Sequence, residues 1–192
     1  MVKVGSQLSI RVLIPAVVVG AIFYQFTSSA AAANLLQASA EKQITAPIRN
    51  FEEVTPNLWR GALPDEAGLK WLADHDVKTV VDLRAICTKH EQKVAKGLGL
   101  QYVRIPLGFG TPDDNSVESF LALAQAAKDP IFVHCRQGED RTGTLIGVYR
   151  MVVQKWPFTR VYHEMRRLGF KPWFFGLRST VKHSNENFSV ID

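Results

Sequence analysis

Cys135 and Arg141 stand six positions apart in the segment IFVHCRQGEDRTG, residues 131 to 143, where an apolar run stops at His134 and a short polar loop leads into Arg141-Thr142-Gly143. A cysteine that transfers a phosphoryl group needs a thiolate, a ring of N–H donors for the phosphate oxygens and a fixed cation. This spacing can supply all three. Five residues between Cys135 and Arg141 let the loop curl so that the amides of Arg136, Gln137, Gly138, Glu139 and Asp140 point inward at a dianion. A helix beginning near Thr142 would aim its N-terminal partial positive charge at the same point. That field should depress the thiol pKa of Cys135 and make it a nucleophile at neutral pH. Arg141 offers a planar fork for two oxygens, which a lysine could not match. Gly138 can adopt positive φ and leaves room for the amides to converge.

A cysteine shortly before an arginine is weak evidence alone, since a buried cysteine is most often a small core residue. The surrounding elements strengthen it. Strand-like segments are expected at 53–61, broken by Pro56-Asn57, and at 78–83, 102–107 and 131–133; helices are expected at 65–74, 89–97, 116–127, 142–155, 157–168 and 174–182. This alternation predicts a single compact α/β domain: a mostly parallel central sheet flanked by helices, with the ligand at the carboxyl end of a strand. The Cys135 loop falls at such an end. With 192 residues and 46% hydrophobic content the chain suits one domain plus a short appendage.

The string HCRQGEDRTG resembles the signature of the cysteine-dependent protein phosphatases, and of their compact dual-specificity branch in particular. LWRGALP, VKTVVDLR and VYRMVVQKW…EMRRLGF are similar to segments of exported bacterial dual-specificity-like tyrosine phosphatases, so the likeness spans roughly residues 53 to 170. It implies a phosphoprotein substrate, most simply phosphotyrosine with phosphoserine or phosphothreonine as further targets. Cys135 would be phosphorylated and then hydrolysed, Arg141 would bind the phosphate, and Thr142 would stabilise the thiolate as it leaves. His134 would hydrogen-bond backbone and organise the loop. No metal or organic cofactor is implied.

Leaving-group protonation calls for a carboxylic acid on a separate loop. Relatives often place it shortly after the equivalent of Pro106, but here Gly108 and Phe109 follow Leu107. Asp113 and Asp114 are the nearest substitutes, and Asp113 is favoured because it lies nearer the Gly-flanked segment. An aspartate after Thr-Pro and before a helix is equally a natural N-cap. Glu139 and Asp140, in the loop itself, serve either as acid or as outward ties to a neighbouring arginine. Two carboxylates there would repel a polyanion, yet an aspartate directly before the arginine also occurs in some phosphoinositide phosphatases. A phosphoinositide or inositol phosphate phosphatase, another thiol enzyme with a similar oxyanion loop, and a non-enzymatic phosphate-binding module are the competing readings.

Residues 1–40 contain no Asp or Glu and only Lys3 and Arg11 as charges, with an uninterrupted apolar run at 12–24 followed by small residues. This predicts a signal peptide, with Ala-x-Ala cleavage sites ending at Ala32, Ala33 or Ala40. Alternatively it is a retained anchor, because residues 12–36 are uncharged and long enough to span a bilayer. Either way residues 41–192 form the exported catalytic domain, most simply in a bacterial periplasm, with membrane association through the N-terminal segment in the second case. That domain carries 21 basic and 18 acidic residues, an excess too mild to indicate nucleic-acid binding. Of the two cysteines, Cys87 is read as a loop residue, with a disulfide to Cys135 as the rival. The five histidines show no metal-ligand spacing.

Overall fold

A computed structural model describes residues 46–86 and 89–190. The segment 1–40 and Cys87 lie outside the described residues. Among those described, five strands form one sheet: β1 Glu52–Thr55, β2 Leu58–Gly61, β3 Thr79–Arg84, β4 Gln101–Leu107 and β5 Ile131–His134. Their spatial order is β1-β2-β5-β3-β4; β1 runs antiparallel to β2 and every other pairing is parallel. The helices are α1 Glu66–Asp74, α2 Lys89–Gly97, α3 Asp114–Ala126, α4 Asp140–Val152, α5 Phe158–Arg167, α6 Phe175–Lys182 and the short α7 Ser184–Asn187. The α/β architecture with a mostly parallel sheet is therefore the one the alternation predicted.

The sheet is covered on both faces, and strand periodicity sorts the residues between them. Leu58, Val81, Ile131 and Val133 face the larger core, built with α3, α4, α5 and α6. Trp59, Val80 and Phe132 face a smaller one against α1 and α2. Since β5 lies between β2 and β3, its carboxyl end opens at the middle of the sheet, level with Gly61 and Asp82. A loop leaving that point can be reached from both faces.

Local chemistry sets the helix ends. Asp65 caps α1, its side chain accepting from the Gly68 N–H at 2.8 Å. Helix α4 spans Asp140–Val152, not 142–155: it begins inside the reactive loop, and beyond Val152 the left-handed Lys155 (φ 58°) lets the Trp156 N–H close on the Arg150 carbonyl at 2.9 Å. Arg150 then ties α4 to α5 through Glu164 at 2.9 Å and to the Val54 carbonyl at 3.2 Å. Among the described residues no helix is long and apolar enough to cross a membrane.

Because α4 is buried along nearly its whole length, truncation of its core side chains should cost stability. Leu145→Ala, at a fully buried position, is expected to lower the unfolding free energy by roughly 2–5 kcal/mol. Urea denaturation followed by circular dichroism measures this, and an unchanged midpoint would contradict the packing described.

Candidate active site

Cys135 follows β5 directly and is 2% exposed at the base of a cavity of about 310 Å³. Phe109, Arg136, Gln137, Asp140 and Arg141 form the rest of its wall. Residues 135 to 140 curl into α4, whose N-terminus has no side-chain cap, so its first amides remain available for an oxyanion.

The loop holds its shape because its carbonyls are taken up on the outside. The Cys135 carbonyl lies 3.2 Å from His134 Nδ1, and that of Arg136 accepts from the Leu63 N–H at 3.3 Å. The Gln137 carbonyl accepts from the Asn50 side-chain amide at 3.1 Å, and the Gly138 carbonyl accepts from the guanidinium of Arg60. Those of Glu139 and Asp140 are used within α4, by the Gly143 N–H at 2.9 Å and the Thr144 hydroxyl at 2.8 Å. Gly138 has φ 71°, and a Cβ there would stand 2.5 Å from the Gly61 backbone. No side chain fits at this position.

Burial pushes the Cys135 thiol pKa up. The Thr142 hydroxyl, the backbone N–H groups of Thr142 and Gln137, and the Arg141 charge outweigh it, leaving the thiol below its ordinary value. The buried Thr142 hydroxyl has no other hydrogen-bond partner among the described residues, so the sulfur is the acceptor to which it turns. Arg141 Nε is likewise unpartnered among the described residues, while its guanidinium lies under the Phe109 ring at 4.6 Å. The fork is therefore held from one side and free to take oxygens.

Behind the loop, His134 Nε2 lies 3.1 Å from Glu91 of α2. Glu91 also pairs with Arg84, which binds Asp82 at 2.8 Å, and the Tyr102 hydroxyl donates to Asp82 at 2.9 Å. On the outer side, Glu139 pairs with Arg49 at 3.0 Å and with Lys171 at 2.6 Å. Asp140, 5% exposed, accepts from the Lys171 backbone N–H at 2.8 Å and from its ammonium at 3.1 Å. Burial alone would lower the Lys171 pKa, but these two carboxylates raise it. Glu139 and Asp140 thus fasten the loop to neighbouring cations.

Asp113 stands at the start of a helix. It caps α3, its two oxygens accepting from the Ser116 N–H at 2.9 Å and hydroxyl at 2.8 Å, and these bonds hold its pKa below the usual range. It lines a separate cavity of about 400 Å³ between β4 and α3. Both of its oxygens are therefore engaged at the helix start. Asp114 is exposed in the first turn of the same helix.

The model of a DSP-PTPase phosphatase fused to NAD+ kinase matches residues 29–171. The dual specificity protein phosphatase TpbA of Pseudomonas aeruginosa is 33% identical over 161 residues, covering 82% of this chain and 72% of its own. The chain belongs to the dual-specificity protein phosphatases. The crystal structure of P. aeruginosa TpbA superposes on this phosphatase with a TM-score of 0.63 at 25% identity, covering 76% of this chain and 96% of that one. A further TpbA structure, a cysteine-to-serine variant in complex with pTyr, has a TM-score of 0.59 at 24% identity and covers 77% and 100%. The core catalytic domain of the PP-IP phosphatase SIW14 from S. cerevisiae, at 23% identity and TM-score 0.63, shares the fold over 71% of this chain and 85% of its own.

Several residues at the site escaped the sequence reading. Asn50, Arg49 and Lys171 carry no local signal, being distant in the chain from what they hold. Phe109 appeared only as a departure where an acid was sought. Arg60 left one sign: an arginine inside a four-residue strand that is buried throughout.

Alkylation of Cys135 by iodoacetamide should follow an inflection below the roughly 8.5 of a free cysteine. Thr142→Val, which keeps the volume and removes the hydroxyl, should move that inflection upward; an unmoved inflection would remove Thr142 from the thiolate's support. Gly138→Ala should abolish phosphatase turnover, as measured with an aryl phosphate, because the loop cannot keep its shape.

Proposed function

We propose that this phosphatase hydrolyses phosphotyrosine in proteins through a cysteinyl-phosphate. The Cys135 thiolate attacks phosphorus and displaces the tyrosine oxygen while the loop amides and Arg141 hold the phosphoryl oxygens; water then attacks phosphorus, releasing inorganic phosphate, and Thr142 donates to the sulfur as it leaves as thiolate. The observation that carries this reading is the placement of Cys135 in one cavity with Arg136, Gln137 and Arg141, whose Nε is unpartnered among the described residues.

Two features support an aryl ester over an alkyl one. Phe109, stacked on Phe174 at 4.7 Å, gives the cavity an aromatic wall. In addition, Asp140 is the carboxylate in the cavity lining and it is engaged by Lys171. A leaving group that departs with little protonation is therefore favoured, and a tyrosine phenol, with pKa about 10, is far better suited than a serine hydroxyl. The TpbA complex with pTyr shows that ligand in a protein of the same fold.

A second reading, an inositol phosphate or diphosphate substrate, gains from one observation. Arg49 and Lys171 neutralise Glu139 and Asp140, so the repulsion expected between these carboxylates and a polyanion is largely cancelled. The N-terminal pattern of residues 1–40 supports export of the catalytic domain, as a cleaved signal or a membrane anchor, to a bacterial periplasm or its inner-membrane face.

Hydrolysis of a phosphotyrosyl peptide, its phosphoseryl counterpart and an inositol diphosphate by the wild-type chain, in reductant, separates these readings. The phosphotyrosyl peptide should be preferred by at least about tenfold in kcat/KM, with turnover lost in Cys135→Ser; preference for the inositol substrate would replace the first reading with the second. Asp113→Asn should keep kcat within about threefold, against the loss of about 10²-fold or more expected for a general acid.

A further inference from the structure

Arg60 is the largest fully buried side chain among the described residues, at 1% exposure. It lies on β2 on the same face as Leu58, toward α4, and donates to the carbonyl of Gly138 at the middle of the reactive loop. The same Nη2 lies near the start of α4: a Cβ added at Gly143 would stand 4.0 Å from it. Arg60 Nε has no hydrogen-bond partner among the described residues.

A buried guanidinium without a carboxylate is costly, since desolvating a charge requires compensation nearby. The carboxylates whose charge reaches Arg60 are Glu52 and Glu164. Both are committed elsewhere, Glu52 to Arg167 at 2.7 Å and Glu164 to Arg150 at 2.9 Å. The ionised Cys135 also acts on it, against the like charge of Arg150. Burial pushes the Arg60 pKa down to about 10, which still leaves it charged at neutral pH.

We propose that Arg60 is a positioning residue and the second cation of the phosphoryl site. It draws the Gly138 carbonyl outward, so that the loop amides face the cavity, and its charge is balanced by the Cys135 thiolate and by the bound oxyanion. Arg141 then grips the phosphoryl group from the cavity side while Arg60 acts through the loop peptide from behind. This inference rests on the loop being an oxyanion site, and it assigns Arg60 no contact with substrate.

The test uses two readouts that need no turnover: the pH dependence of Cys135 alkylation, and protection against alkylation by inorganic phosphate, in the full chain. Arg60→Met keeps an unbranched apolar stem and removes the charge and donors. It should raise the alkylation inflection toward that of a free thiol and weaken phosphate protection by at least about tenfold, the scale of a lost charge-assisted hydrogen bond. A folded Arg60→Met with wild-type inflection and wild-type protection would overturn the proposal. If Arg60→Met does not fold, Arg60→Lys decides, because it keeps the charge and loses the fork. Protection weakened several-fold with the inflection largely retained would support the proposal, and unaltered protection would overturn it. A wild-type chain that binds phosphate at Cys135 but turns over no phosphate ester would defeat the proposed function and leave these readouts intact.

Discussion

A trans peptide plane sends its N–H and C=O in opposite directions, so a loop whose amides converge on one point must turn its carbonyls away from it. In a partly buried loop those carbonyls need donors, since an unpaired buried backbone group costs about as much as a lost hydrogen bond. Here the donors are the Asn50 amide, the Leu63 N–H, the Arg60 guanidinium and the ring of His134. The placement of β2 beside β5, the backbone leading into β1 and the packing of α4 all bear on this one requirement. Preorganisation of the anion site is thus a property of the carbonyl side as much as of the amide side.

The charges around the site divide by what they face. Lys171 and Arg49 are spent on Glu139 and Asp140, fastening the loop's outer edge. Arg141 is left with a nitrogen unpartnered among the described residues and an aromatic ring against its flat face. Its planar guanidinium is therefore oriented without being consumed. The same Phe109 ring gives the cavity an apolar wall at the point where the sequence departs from its relatives.

Buried ionic groups lie on both faces of the sheet. Asp82, Arg84, Glu91 and His134 form a connected cluster on the α2 side of the sheet, and Arg60 and Arg150 lie on the α4 side. Such groups contribute little net stability when compared with apolar packing of similar volume. Their value here is geometric: His134 and Arg60 hold successive parts of the loop from opposite faces of the sheet, which the central position of β5 makes possible.

The alternating pattern of apolar runs was enough to determine the sheet-and-helix architecture, because residues such as Val80 and Val81 or Phe132 and Val133 declare their two faces within a few positions. The reactive loop was equally local: Cys135, Gly138, Arg141 and Thr142 lie within eight residues, and the left-handed glycine and the helix start follow from their order. Asp113 was ambiguous, since one short stretch satisfies both a cap and a proton donor, and its bonds to Ser116 show the cap. The partners of the loop were beyond reach of the sequence. Arg60 and Gly138 are 78 positions apart, and Asn50 and Gln137 are 87 apart. Which side chain meets which carbonyl across such separations depends on strand order and register, and these are settled by packing of the whole domain.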